Sequence, residues 1–244
     1  MYYRKLVSVA VALLMALSAV WVVSATPKTK DENEQRRLQT IEPLNLAILI
    51  QDDLVPQVSN EIGVTRDFIR SLPQGSQVMV AYITAGTLQV RQPFTNDLDK
   101  AARSLRIPTA SITSAPFNPY VEVLEALRKF EKDGTNANAL LLISDGLDTS
   151  RGFDSTAAGH TLDIDRAISE ATKRNVSIFS FYAPSVGLTS HNRLAASYGQ
   201  SSLNRLSNET GGKAFFQGTS GFVTFDSYFS RLSETLNRQY ARAR

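Results

Sequence analysis

The sequence contains no cysteine, only two histidines and a single tryptophan. Without thiols there is no disulfide, no thiolate zinc site and no cysteine nucleophile, so stability has to come from an apolar core. His160 and His191 stand apart in polar stretches and lack the His-x-x-x-His or Glu-x-x-His spacing that zinc requires. The Gly-x-Ser-x-Gly turn of a serine hydrolase is also missing, since "GTSGF" at 218–222 has the wrong spacing, and no Gly-Lys-Ser/Thr phosphate loop occurs. No catalytic residue is assigned, and the chain is not expected to be an enzyme. A strong charge of one sign is lacking too. With Arg4 and Lys5 set aside, 24 basic residues face 23 acidic ones, and no Lys/Arg tract is interleaved with aromatics, so a nucleic-acid partner is not expected.

What is present fits a globular body with a leader. Of the 244 residues 43% are hydrophobic and 20% charged, which suits one substantial folded domain. Arg4 and Lys5 precede an uncharged apolar run from Leu6 to Val23, followed by Ser24 and Ala25. Residues 1–25 therefore read as an export signal, either a cleaved signal peptide or an inner-membrane anchor through residues 6–23. Either form places the body outside the cytoplasm, periplasmic or secreted, with membrane contact only through this segment. Residues 26–42, beginning "TPKTKDENEQRR", read as a polar tether, 43–240 as the domain and 241–244 as a basic tail.

Within the domain "LNLAILI" and "ANALLLIS" are continuous apolar runs of strand length, the pattern of central strands covered on both faces. After the first strand, Ser59 or Asn60 is expected to cap a helix burying Ile62, Phe68, Ile69 and Leu72. "SQVMVAYITAGTLQVRQPF" reads as a hairpin turning at Gly86, and "TNDLDKAARSLRI" as a short capped helix. Pro119 opens a helix with Val121, Leu124, Leu127 and Phe130 on one stripe, and Gly134 lies past its end. Helix–strand pairs "DIDRAISEATKRN" with "VSIFSFYA" and "SSLNRLSNETGG" with "KAFFQG" follow, and "FDSYFSRLSETLNRQY" closes the chain as a helix. Phe215, Phe216, Phe225 and Phe229 are expected to pack the sheet and that last helix. The alternation predicts an α/β fold, a three-layer doubly wound sheet, mainly parallel and flanked by helices, with one antiparallel edge hairpin. Such sheets bind ligands at the C-terminal ends of their strands, where "QDDLV" and "SDGLD" place Asp52, Asp53, Asp145 and Asp148. The polar stretch Ala183 to Ser202 is expected to be a long loop and a second candidate partner surface.

The ordered pieces "PLNLAILI", "FIRSLPQGSQVMVAYI", "ALLLISDGLD", "LNRLSNETGGKAFF" and "FDSYFSRLSETLNRQY" resemble a von Willebrand factor type A domain, particularly the exported acidobacterial ones. That resemblance implies a Rossmann-like fold and a protein-binding role. It also raises a metal-ion-dependent adhesion site, built from Asp-x-Ser-x-Ser, a Thr from a second loop and an Asp from a third, whose ion is completed by a partner carboxylate. Carried over, the leading Asp falls on Gln51, the two Ser positions on Asp53 and Val55, and the Thr on Val121; only Asp145 matches. The resemblance thus implies a degenerate site, no cofactor, and a non-catalytic module binding a protein partner through its rim loops. A rescued site would hold Mg²⁺ or Ca²⁺ through Asp53 and Asp145, with Asp52, Asp148 and a hydroxyl from Thr113 or Ser114 nearby, making a cation-dependent adhesion module. A hydrolase using Asp53 and Asp148 as paired carboxylates is the third reading. If no ligand gathers them, Asp52 and Asp53 are solvated loop acids, and Asp145 and Asp148 hold turns.

Overall fold

Apolar runs that cannot stay in water become the middle of the molecule. In the computed structural model, which describes residues 43–110, 118–131, 136–153, 162–217 and 223–240, they form β1 (Leu44–Gln51), β2 (Gln77–Thr84), β4 (Ala137–Ser144) and β5 (Val176–Tyr182). The leader and tether at 1–42, Thr113, Ser114, Gly134, His160, the segment 218–222 and the tail at 241–244 lie outside the described residues. With β3 (Thr87–Thr95) and the two-residue β6 (Ala214–Phe215) the strands make one sheet in the order β3-β2-β1-β4-β5-β6. All neighbours are parallel except the β2–β3 hairpin. Its two-residue turn puts both Ala85 (φ 48°) and Gly86 (φ 73°) in the left-handed region, the geometry that matches the twist of the paired strands.

Side chains alternate across the pleat, so each central strand feeds two cores. Leu46, Ile48 and Ile50 face one side, with Val80, Leu141 and Phe181, under α1 (Val58–Arg70), α2 (Leu98–Ser104) and α7 (Asp226–Tyr240). Ala47 and Leu49 face the other, with Ala81, Leu142 and Ile178, under α3 (Pro119–Leu127), α4 (Leu162–Lys173) and α6 (Arg193–Glu209). The short α5 (Leu188–His191) precedes α6. These groups are almost fully buried, and each of the larger ones contributes roughly 1.5–3 kcal/mol by leaving water.

Four local expectations change. Helix α1 has no side-chain cap at Ser59 or Asn60; a turn through Val55, Pro56 and Gln57 takes up its first N–H groups instead. In α3 the buried face is Tyr120, Glu122, Val123, Ala126 and Leu127, while Val121 is exposed. That helix is rotated by the Tyr120 hydroxyl, which donates to the Gly146 carbonyl at 2.5 Å. Residues 183–202 are largely helical, because Asn192 caps α6 through the N–H groups of Leu194 and Ala195 and small residues bury one face. Finally, Phe215, Phe225 and Phe229 join Phe181 in an aromatic cluster, but Phe216 points outward from the end of β6.

Candidate functional site

Strands β1 and β4 are adjacent and parallel, so Gln51 and Ser144 finish side by side at one edge of the sheet, and the acids that follow each strand meet there. The Gln51 side chain, about 1% exposed, is the centre of the rim. Its Oε1 accepts from the Ser144 hydroxyl at 2.6 Å and from the Asp145 N–H at 3.1 Å, while its Nε2 donates to Asp53 Oδ1 at 2.7 Å. Asp145, also buried, accepts from the Leu147 N–H at 3.1 Å and from the Thr189 hydroxyl at 3.0 Å. Thr189 in turn receives the Ser185 N–H at 2.8 Å. Backbone bonds from Val55 to the Pro184 carbonyl and from Val186 to the Asp53 carbonyl, both 2.9 Å, tie the loop after β1 to the loop after β5. Three loops are thereby joined around one carboxamide.

The charges follow from this burial. Desolvation pushes the Asp145 carboxyl up to about 6, and the charge of Asp53 adds to the push against the opposing bonds from Leu147, Ser185 and Thr189. Asp53 is raised as well, again mainly by burial, with the Gln51 bond acting against it and the Asp52 charge with it. Asp52 behaves in the opposite way. Burial raises it, but Arg106 grips both carboxylate oxygens at 2.5 and 2.8 Å, and the Thr109 N–H and Thr84 hydroxyl add bonds at 3.0 and 3.1 Å. Together these hold it below its ordinary value. Arg106 also stacks on the Tyr82 ring at 4.1 Å and receives a backbone bond from the Tyr82 hydroxyl at 2.6 Å.

The structure thus places Asp53 and Asp145 on one network, turns Asp52 away into an ion pair, and gives Asp148 a turn of its own, where it accepts from the Ser150 N–H at 2.9 Å and hydroxyl at 2.6 Å. Asp52 is not a solvated loop acid. Arg106, Thr109, Thr84, Ser185 and Thr189 are site residues that the sequence did not single out. Those with a bond to Asp52 or Asp145 lie 32 to 57 residues away along the chain, and only the strand order brings them in.

A divalent ion implied by the resemblance would need a ring of hard oxygens. The donor set does not fit: an N–H of Gln51 faces Asp53, and no three His, Cys, Asp or Glu side chains among the described residues are grouped to hold a metal. A cleft of about 420 Å³ opens at the opposite edge between Asn45, Gln77, Met79, Phe94 and Phe130, with Lys129 and Glu131 beside it and none of the rim acids.

A mainly parallel six-stranded sheet with an antiparallel edge hairpin, sandwiched between helix layers and carrying its polar network at the strand C-termini, is a von Willebrand factor type A-like fold. Among solved structures the chain is similar to the conserved hypothetical protein BatB from Bacteroides thetaiotaomicron. The identity is 14%, the match covers 82% of this chain and 100% of that one, and the TM-score is 0.56. It is also similar to an aerotolerance-related membrane protein from Bacteroides fragilis carrying multiple mutations to serines, with 13% identity, 80% and 99% coverage and a TM-score of 0.50. The SpRpn10 VWA domain overlays less closely, at 12% identity, 81% and 95% coverage and a TM-score of 0.47. At these identities the likeness is one of fold. No family model and no curated protein matches the chain.

Proposed function

We propose that this protein is a non-catalytic interaction module that binds a protein partner through the C-terminal edge of its sheet, outside the cytoplasm and without an obligatory metal. The observation that carries the reading is where the apolar surface lies. Among the described residues the large exposed apolar side chains are Ile107, Val121, Leu162, Leu194 and Phe216, 38% to 66% exposed. Every one sits at that edge: Val121, Leu162 and Leu194 in the first turns of α3, α4 and α6, Ile107 beside Arg106, and Phe216 just past β6. The starts of α3 and α4 are neighbours, since Asn118 donates to Asp163 at 2.9 Å, so Val121 and Leu162 flank one polar junction. Exposed apolar side chains on the edge that also carries the polar network give a protein partner anchors beside hydrogen-bonding groups.

Support for export comes from the apolar segment at residues 6–23, which is proposed as signal or anchor, and from the membrane protein of Bacteroides fragilis among the similar structures. No helix among the described residues is long and apolar enough to cross a membrane. Hydrolysis by paired carboxylates finds no support, because Asp148 is bonded within its own turn and Asp53 to Gln51. The test is a photo-crosslinking residue placed at Leu162 or Leu194 in the full chain, produced in a bacterial cell envelope. Discrete adducts are expected from those positions and not from Lys129 at the opposite edge. The same adducts from Lys129, or none from the rim, would reject the reading.

A further inference from the structure

We infer that the Gln51 carboxamide stands in the place of a cation, so that the rim is assembled by a side chain rather than by an ion. Aligning a row of oxygens around a positive centre is what a bound ion does for neighbouring carboxylates and hydroxyls. Here a neutral group ties the same loops together, acting as the ion would at its donor end and with the opposite polarity at its acceptor end. Its acceptor end collects the Ser144 hydroxyl and the Asp145 N–H, and its donor end satisfies Asp53. Asp145, the other carboxylate, is turned onto Leu147 and Thr189, so that each of its oxygens already has a protein donor. Replacing an aspartate by glutamine at this place therefore removes one negative charge, lengthens the side chain by a methylene and supplies the missing N–H donor.

This deepens the proposed function and rests on it for its meaning in recognition. A partner carboxylate would find no ion to complete and would meet Asp53 instead, so the edge selects a partner that brings apolar groups and hydrogen-bond donors. Recognition is then indifferent to chelators. The cation test reads the rim chemistry by itself: a failed crosslinking experiment beside the cation results expected below would reject the binding face and leave Gln51's role standing.

The experiment is thermal unfolding of the full chain in EDTA and then in Mg²⁺ or Mn²⁺, for wild type, Gln51→Asp and Asp145→Asn. The wild-type midpoint is expected not to move. Gln51→Asp, which puts a third carboxylate beside Asp53 and Asp145, is expected to gain about 5–10 °C at a cation concentration a hundred times its dissociation constant. A cation-dependent rise in wild type that Asp145→Asn abolishes would overturn the inference, and so would a folded Gln51→Asp variant that ignores cations. If that variant does not fold, the side-chain amide resonances of wild-type Gln51 decide. They are expected to stay sharp in Mn²⁺, and paramagnetic broadening of them would show an ion at the rim and overturn the proposal.

Discussion

At Asp52 a buried carboxylate is kept charged by the geometry of one partner. The Arg106 fork meets both oxygens, and the Thr109 N–H and Thr84 hydroxyl use the remaining lone pairs, so every acceptor site has a donor. Removing only the cation leaves an uncompensated charge in a site where Asp52 is about 4% exposed. Arg106→Met should therefore cost about 3 kcal/mol, the low end for a buried pair because the Arg106 side chain is 28% exposed. Denaturant unfolding measures it, and Asp52→Asn combined with Arg106→Met should recover part of the loss. A cost below about 1 kcal/mol would place the pair among ordinary surface bridges. Among the described residues Asp53 and Asp145 have no such cation, and burial pushes their carboxyls up against the hydrogen-bond donors that hold them, where the Arg106 fork brings that of Asp52 down.

Helix α6 packs its backbone directly against the loop that carries Asp145, and Gly199 is the reason. A methyl group there would lie 1.9 Å from the Asp145 carbonyl oxygen, and one on Gly146 (φ +69°) would lie 2.5 Å from the Gly199 carbonyl. Alanine is the better helix former by about 1 kcal/mol, yet Gly199→Ala should destabilise by roughly 1–3 kcal/mol, because α6 must retreat from the loop that carries Asp145. A raised melting temperature for that variant would mean the approach is looser than the structure has it. The same helix marks the limit of what was legible beforehand. Strands β1, β2, β4 and β5 announce themselves as largely apolar runs of strand length, and α1, α4 and α7 by their spacing. The start of α6, in contrast, buries Ala195, Ala196, Gly199 and Gln200, residues too small or too polar to show a hydrophobic period. In α3 the buried Glu122 and the exposed Val121 invert the usual assignment, and one hydroxyl on Tyr120 fixes the rotation. At the rim, Gln51 could be read as a departure from an acidic motif. Its three hydrogen bonds could not, since two of them reach 93 and 94 residues along the chain.

At the scale of the whole molecule these shifts set how stability depends on pH. Asp145 has its ordinary value of 3.8 when unfolded and about 6 when folded, so the folded state holds its proton more tightly. Its contribution is full below about 4 and is lost as pH rises through about 6, a change on the order of 2–3 kcal/mol. Asp52 has the opposite sign: its contribution is present above 3.8 and is lost as pH falls through its depressed folded value. The wild type should therefore lose stability between about pH 4 and 6, and Asp145→Asn should flatten that slope while keeping the bond from Leu147. Asp53 and Glu122, both raised by burial, leave a smaller slope of the same sign. Melting temperatures across that range check the prediction, and a variant as steep as wild type would refute it.

The hairpin strand β3 carries a further consequence for the molecule in a crowded solution. It ends the sheet, and its outer line of N–H and C=O groups pairs with no strand among the described residues, an open template for strand addition. Pro93 removes one donor from this strand, exposed Arg91 adds a charge, and the register shifts opposite Val78 and Val80 twist it out of line. A second copy approaching edge to edge meets a bent, partly donorless and charged border, so the protein is guarded against fibrillar self-association on the side of the sheet where its strands run out.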